Sequence, residues 1–202
     1  THMAWEEDRP FADAEDTEEL CRLIEQYGYV IAAKHKAGQP KISGPEPETL
    51  KRLSGFCDLL LVEADGARRL PLKVPAVHEP VIPEFADIVV GVTGLDCIGK
   101  KICDIAHRPE DVAEFLRKKT DEPVMWEDVV KIASSENGLR KNVGEKSFLV
   151  YFNKADVLES SGVAENIIKK CREAGIEAVC GSLKKIMERQ EICRKFHGIR
   201  RK

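Results

Sequence analysis

Three uninterrupted apolar runs constrain what this chain can fold into. They are Leu59-Leu60-Leu61-Val62, Ile88-Val89-Val90-Gly91-Val92 and Phe148-Leu149-Val150-Tyr151-Phe152. Each has strand length and no polar alternation, which suits a strand covered on both faces in a parallel sheet. Ala178-Val179-Cys180 is a weaker copy. Helical periodicity fills the stretches Pro109 to Lys119, Trp126 to Ser134, Val163 to Ala174 and Leu183 to Phe196. Strands alternating with helices imply right-handed crossovers and a doubly wound sheet. The predicted class is therefore α/β, with a mostly parallel sheet in a three-layer αβα arrangement. Upstream, Asp16 with Glu19 forms a capping-box-like start, and Gly28 stops the helix that follows. Tyr29 to Ala33 reads as a strand, Pro40 to Pro47 as turns and Glu48 to Gly55 as a short helix. Residues 4 to 15 are acidic and aperiodic and read as a loose lead-in.

Bulk properties narrow the function classes. A chain of 202 residues fits one domain with a real core, here residues 4–202. Thr1-His2-Met3 reads as the remnant of a cleaved tag, so Ala4 is expected to be the first native residue. The net charge of −3 creates no global basic field for nucleic acid or an anionic membrane, and the basic stretch Arg194 to Lys202 reads as a solvated tail. Seven cysteines, an odd number with no Cys-x-x-Cys pair and no signal peptide, point to a reducing cytoplasm. No apolar run approaches the roughly twenty residues of a membrane span.

Each apolar run ends in polar chemistry, where parallel sheets bind ligands. The four ends are Glu63-Ala-Asp65-Gly66, Thr93-Gly94-Leu-Asp96, Asn153-Lys154-Ala155-Asp156 and Gly181-Ser182. Asn153-Lys154-Ala155-Asp156 is the sharpest of them and resembles the base-recognition loop of GTPases. Guanine presents N1–H and a 2-amino group on one edge, and the Asp156 carboxylate can accept from both. The Asn153 amide can meet the opposite edge and tie the loop to its neighbours. The stem of Lys154 can lie over the ring while its ammonium stays wet. Ser182 falls where a second loop would approach guanine O6. The plainer reading is a polar turn with Asp156 near a helix N-terminus, which needs no ligand.

Glu63 and Asp65 are candidate catalytic residues, with Asp65 as a Mg²⁺ ligand, because hard cations take oxygen donors. A tight Asp65-Gly66 turn would explain them equally simply. The nearest approach to a phosphate loop, Gly94 to Lys101, lacks the hydroxyl after its lysine and has Pro109 close behind. Gly66 to Pro83 contains four prolines that fix an extended path carrying Arg68, Lys73, His78 and Glu79. Those four are candidates for binding an anionic substrate, or else charges on a rigid cover over the sheet edge. His78 and His107 each lack a second His or Cys at ligand spacing.

The stretch from Leu61 through Glu63, Asp65, Arg68, Lys73, His78 and Glu79 to Pro83 resembles the signature of the YqeC-type family of selenium-dependent hydroxylase accessory proteins. The resemblance continues through Val90 to Asp96, His107 to Glu110, Glu136 to Lys141 and the Asn153 loop. It implies a P-loop NTPase-like fold whose N-terminal phosphate-loop unit is missing before Asp16. It also implies a GTP or other purine nucleotide with Mg²⁺, and a role in maturing a selenium-dependent molybdenum hydroxylase. GTP hydrolysis is then a possible activity, absent from this stretch alone. Two further readings stand beside it. One is a transferase acting on a molybdenum or selenium cofactor precursor, and the other is a docking scaffold for the hydroxylase.

Overall fold

Capping at two punctuating residues places the first helix. Asp16 accepts from Glu19 N at 3.0 Å, and Gly28, at φ 77°, donates its N–H to Ile24 O. Between them α1 (Thr17–Tyr27) buries Leu20 and Leu23, as its 3.6-residue period requires. The computed structural model describes residues 2–4, 9–35 and 41–186. They cluster into two compact units, Thr1–Gly66 with Pro83–Phe85, and Ala67–Ile82 with Ala86–Lys202.

In the first unit, β1 (His2–Ala4), β2 (Phe11–Asp13), β3 (Ile31–His35) and β4 (Lys41–Ser43) form one sheet in the order β1-β4-β3-β2. β2 pairs parallel with β3, and the other two pairings are antiparallel. α2 (Pro47–Leu53) starts on proline, whose fixed φ suits a first helical position. Thr49 Oγ1 and Arg52 Nη2 donate to the two oxygens of Glu15, at 2.7 and 2.8 Å, and hold α2 to the turn after β2. The core here is Ala12, Ala14, Leu20, Leu23 and Leu53.

Two expectations fail in this unit. The acidic lead-in contains β2, because Phe11–Asp13 finds a parallel partner in Ile31–Ala33 that no local pattern announces. The run Leu59–Val62 is not a strand. Leu59 and Leu61 are 73% and 83% exposed, and among the described residues no ladder includes them. An apolar run becomes a strand only where a neighbour takes its backbone hydrogen bonds.

The second unit holds β5 (Leu72–Lys73), β6 (Ile88–Gly94), α3 (Ile102–Ile105), β7 (Ala106–His107), α4 (Pro109–Leu116), α5 (Trp126–Ser134), β8 (Ser147–Asn153), α6 (Ser161–Glu173) and β9 (Glu177–Cys180). β6, β8 and β9 form a wholly parallel sheet with β8 in the middle, and β5 pairs parallel with β7. The chain is thus α/β with mostly parallel sheets, an arrangement compatible with three αβα layers. Val150, Phe152 and Ala178 pack with Val129, Ile132, Ile167 and Cys171 into one buried cluster. The opposite face is open at β6, where Ile88, Val90 and Val92 are exposed, so that strand is not covered on both sides. Among the described residues, no helix is long and apolar enough to cross a membrane. The predicted helix from Leu183 is helical as far as Ile186, and its remainder, Cys193 and the basic stretch lie outside the described residues.

Gly138 is fixed by space rather than by φ. A Cβ on Gly138 would lie 2.0 Å from Ile132 O at the end of α5, where Leu139 N donates to the same oxygen. Gly138→Ala is expected to lower stability by about 1–3 kcal/mol, read by chemical denaturation, as overpacking does elsewhere.

Candidate functional site

Register brings three loops to one edge of the β6-β8-β9 sheet. Gly94 pairs with Asn153 and Phe152 with Cys180, so all three strands end within a residue of one another. Lys154 turns the chain out of β8 at φ 60° and ψ 34°, a left-handed conformation that is strained for a residue with a Cβ. Gly181 N donates to Phe152 O and Ala155 N donates to Gly181 O, both at 2.9 Å. The Asn153 oxygen accepts from Lys154 N at 2.8 Å and from Leu183 N at 3.1 Å. That side chain therefore stitches its own loop to the one after β9, as expected of it. Gly181 is needed for close approach, since a Cβ there would sit 2.5 Å from the Tyr151 hydroxyl.

The two charged members of this loop have different fates. Lys154 Nζ is 2.8 Å from Asp96 Oδ2 and half exposed, so it is partnered rather than simply wet. Asp96 is itself placed by the turn after Gly94, where a Cβ would meet Asp96 Oδ1 at 2.5 Å and Pro71 Cβ at 2.9 Å. Asp96 Oδ1 is buried and has no hydrogen-bond partner. Asp156 lies in a short 3-10 turn, Ala155–Val157, and is exposed. The Ser182 hydroxyl hydrogen-bonds its carboxylate and, with Lys184 and Lys185 nearby, holds its pKa below the usual carboxylate range. The carboxylate is thus ionised at neutral pH and faces solvent. Ser182 is engaged with Asp156, and its own oxygen accepts weakly from Lys185 N at 3.4 Å.

A second group of charges gathers around Glu79. Parallel pairing of β5 with β7 sets Lys73 opposite His107. Lys73 Nζ and Arg108 Nη2 both reach Glu79 Oε2, at 2.8 and 2.6 Å, and Ala76 N donates to the same oxygen at 3.1 Å. Lys73 is almost fully buried, with 6% of its side chain exposed. Burial alone would raise the Glu79 pKa, but the Lys73, Arg108 and Ala76 donors override it and hold it at about 2. The His107 pKa is lowered too, here with burial as the leading cause. Burial, then Arg108, Lys73 and Arg68, lower its pKa, so the imidazole is neutral. His78 stands out in solvent, its Nε2 3.9 Å from Glu79 Oε1 and beyond hydrogen-bond reach.

Of the residues expected to bind an anion, Lys73 and Glu79 meet directly, Arg68 is near enough to bias His107, and His78 stands apart. Arg108 and the Asp96–Lys154 pair were not foreseen. Arg108 lies 29 positions from Glu79, and only a pairing between two-residue strands joins them, which leaves no periodic signal. Glu63 and Asp65 belong to the N-terminal unit. Partial burial raises the Glu63 pKa, and the Asp65 carboxylate adds to the rise. Among the described residues no group of three His, Cys, Asp or Glu side chains is placed to hold a metal ion.

Comparison with known proteins gives a family and no fold relative. The family model described as "YqeC protein" matches residues 1–110. A protein of Escherichia coli (strain K12) named "Uncharacterized protein YqeC" is 32% identical over 165 residues, which is 80% of this chain and 64% of that one. The chain therefore spans under two thirds of the length of this relative. No solved structure matches it.

Proposed function

Since this chain belongs to the YqeC family, we propose from its own site that it is a guanine-nucleotide-binding, P-loop NTPase-like accessory protein. The observation that carries this reading is Asp156: ionised, exposed and mounted on a loop that Asn153 fastens from two sides. A bidentate carboxylate favours guanine because adenine presents no matching pair of donors on that edge. The Asp96–Lys154 ion pair fixes the lysine stem beside the loop, where an apolar stem can cover a purine face. Glu63 and Asp65 are the residues we assign to hold Mg²⁺ or its water. The biological setting, maturation of a selenium-dependent molybdenum hydroxylase, follows from the resemblance of the Leu61 to Pro83 signature and is part of the same proposal.

Competition between fluorescent GTP and unlabelled GTP or ATP, run with Mg²⁺ on the native-length protein, tests the reading. GTP should compete at least about tenfold better than ATP, the discrimination that one charge-assisted hydrogen bond supplies. Equal competition by the two nucleotides, or none by either, removes the guanine assignment.

A further inference from the structure

The β6-β8-β9 sheet has one buried face and one exposed face. Val150, Phe152 and Ala178 join the core with residues of α5 and α6. On the other face the register sets Val90 beside Leu149 and Glu177, and Val92 beside Tyr151 and Val179. Ile88, Val90, Val92 and Val179 are all exposed there. A parallel sheet is ordinarily covered on both faces, and contiguous apolar side chains on a surface mark a contact.

The chain beyond β9 presents a second exposed apolar surface. Leu183 N donates to Asn153 Oδ1 and Ile186 N to Ser182 O, each at 3.1 Å, so a helix starts at the carboxyl edge of β8 and β9. Leu183 and Ile186, the apolar residues of its first turn, are both exposed. The sequence prolongs the pattern. A 3.6-residue period sets Leu183, Ile186, Met187, Gln190, Cys193 and Phe196 along one side, with Lys184, Glu188 and Lys195 opposite.

We propose that residues 183–196 form a helix that lies along the exposed face of the β6-β8-β9 sheet and covers it. The core face of β9 is already taken, since Ile167 and Cys171 of α6 pack in one cluster with Ala178, so a segment leaving β9 finds room on the other side. The dimensions agree. β6 and β8 are seven residues each, about 23 Å at roughly 3.3 Å per residue, and residues 183–196 as a helix measure about 21 Å at roughly 1.5 Å per residue. Three strands about 4.8 Å apart present a face about 10 Å across, the width of one helix. Starting at the carboxyl edge, the helix runs back against the strand direction, which brings Met187 toward the Val92 row and Phe196 toward Ile88. The inference stands on the sheet and this segment and does not need the base loop to read guanine.

Thiol accessibility on the native-length protein carrying Val90→Cys tests it, with each cysteine followed separately by mass spectrometry. The thiol at position 90 should react with a maleimide at least about tenfold more slowly than in the same protein ended at Ile186, because labelling must then wait for the helix to lift. A short bismaleimide should also join position 90 to the native Cys193 within one chain. Equal labelling rates in the two proteins overturn the proposal, as does protection that survives removal of the segment. Protection that rises with protein concentration, together with a link between chains, assigns the face to a second copy and overturns it as well. If circular dichroism finds the shortened protein unfolded, the link in the intact chain decides, and its absence sinks the helix.

Discussion

Glu79→Ala is expected to destabilise the C-terminal unit by about 3–5 kcal/mol, the usual result of stripping one partner from a buried ion pair. The cost comes from Lys73, which keeps its charge while only 6% of its side chain is exposed, and from Arg108, whose Nη2 loses its 2.6 Å contact. The effect should also depend on pH. A glutamate held at about 2 in the folded state contributes stability that is complete above its ordinary value near 4.3 and is lost as pH falls toward about 2. The gap between wild type and Glu79→Ala should therefore be widest near neutrality and should close under acid. Urea denaturation followed by Trp126 fluorescence, in a Trp5→Phe background, reports on the correct unit, since the chain has just these two tryptophans. A gap of less than about 1 kcal/mol at neutral pH, the worth of one exposed ion pair, would show that the cluster is looser than its distances suggest.

Asp156→Asn should exchange nucleotide preference. A carboxylate can accept two hydrogens from guanine, whereas an amide offers one acceptor and one donor, a match for the N1–H and 2-oxo group of xanthine. Loss of two charge-assisted hydrogen bonds lowers GTP affinity roughly a hundredfold, and XTP should gain in proportion. The fold should be unaffected, because Asp156 is exposed and sits in a turn whose backbone bonds, Ala155 N to Gly181 O and Gly181 N to Phe152 O, do not involve its side chain. Competition with GTP, XTP and ATP against one fluorescent nucleotide reads the outcome. An unchanged GTP to XTP ratio would mean that the base, if bound, is not read by this carboxylate.

Long, regular features were the legible ones. The helix Trp126–Ser134 lies where its periodicity puts it, and β6 and β8 grow from their apolar runs. Asp16 and Gly28 bracket α1 because caps act through local hydrogen bonds, which local sequence can encode. Leu59–Val62 misled for the opposite reason. Its composition is that of a buried strand, but pairing is a property of two segments, and one segment cannot announce its partner. The stitching role of Asn153 was readable from the four-residue loop, since that chemistry is local. The meeting of Lys73 with His107, and through Glu79 with Arg108, was not readable, because two-residue strands carry no period and the contacts span tens of residues.

The bond from Leu183 N to Asn153 has a mechanical consequence. β9 is four residues long and lies at the margin of its sheet, where strands fray most readily. The amides that brace the loop after β8, those of Gly181 and Leu183, come from the chain just past that strand. Fraying of β9 and slackening of the loop are therefore one event. By thermodynamic reciprocity, any molecule that grips the loop must also clamp the sheet's last strand, and a weakened last strand must loosen the grip.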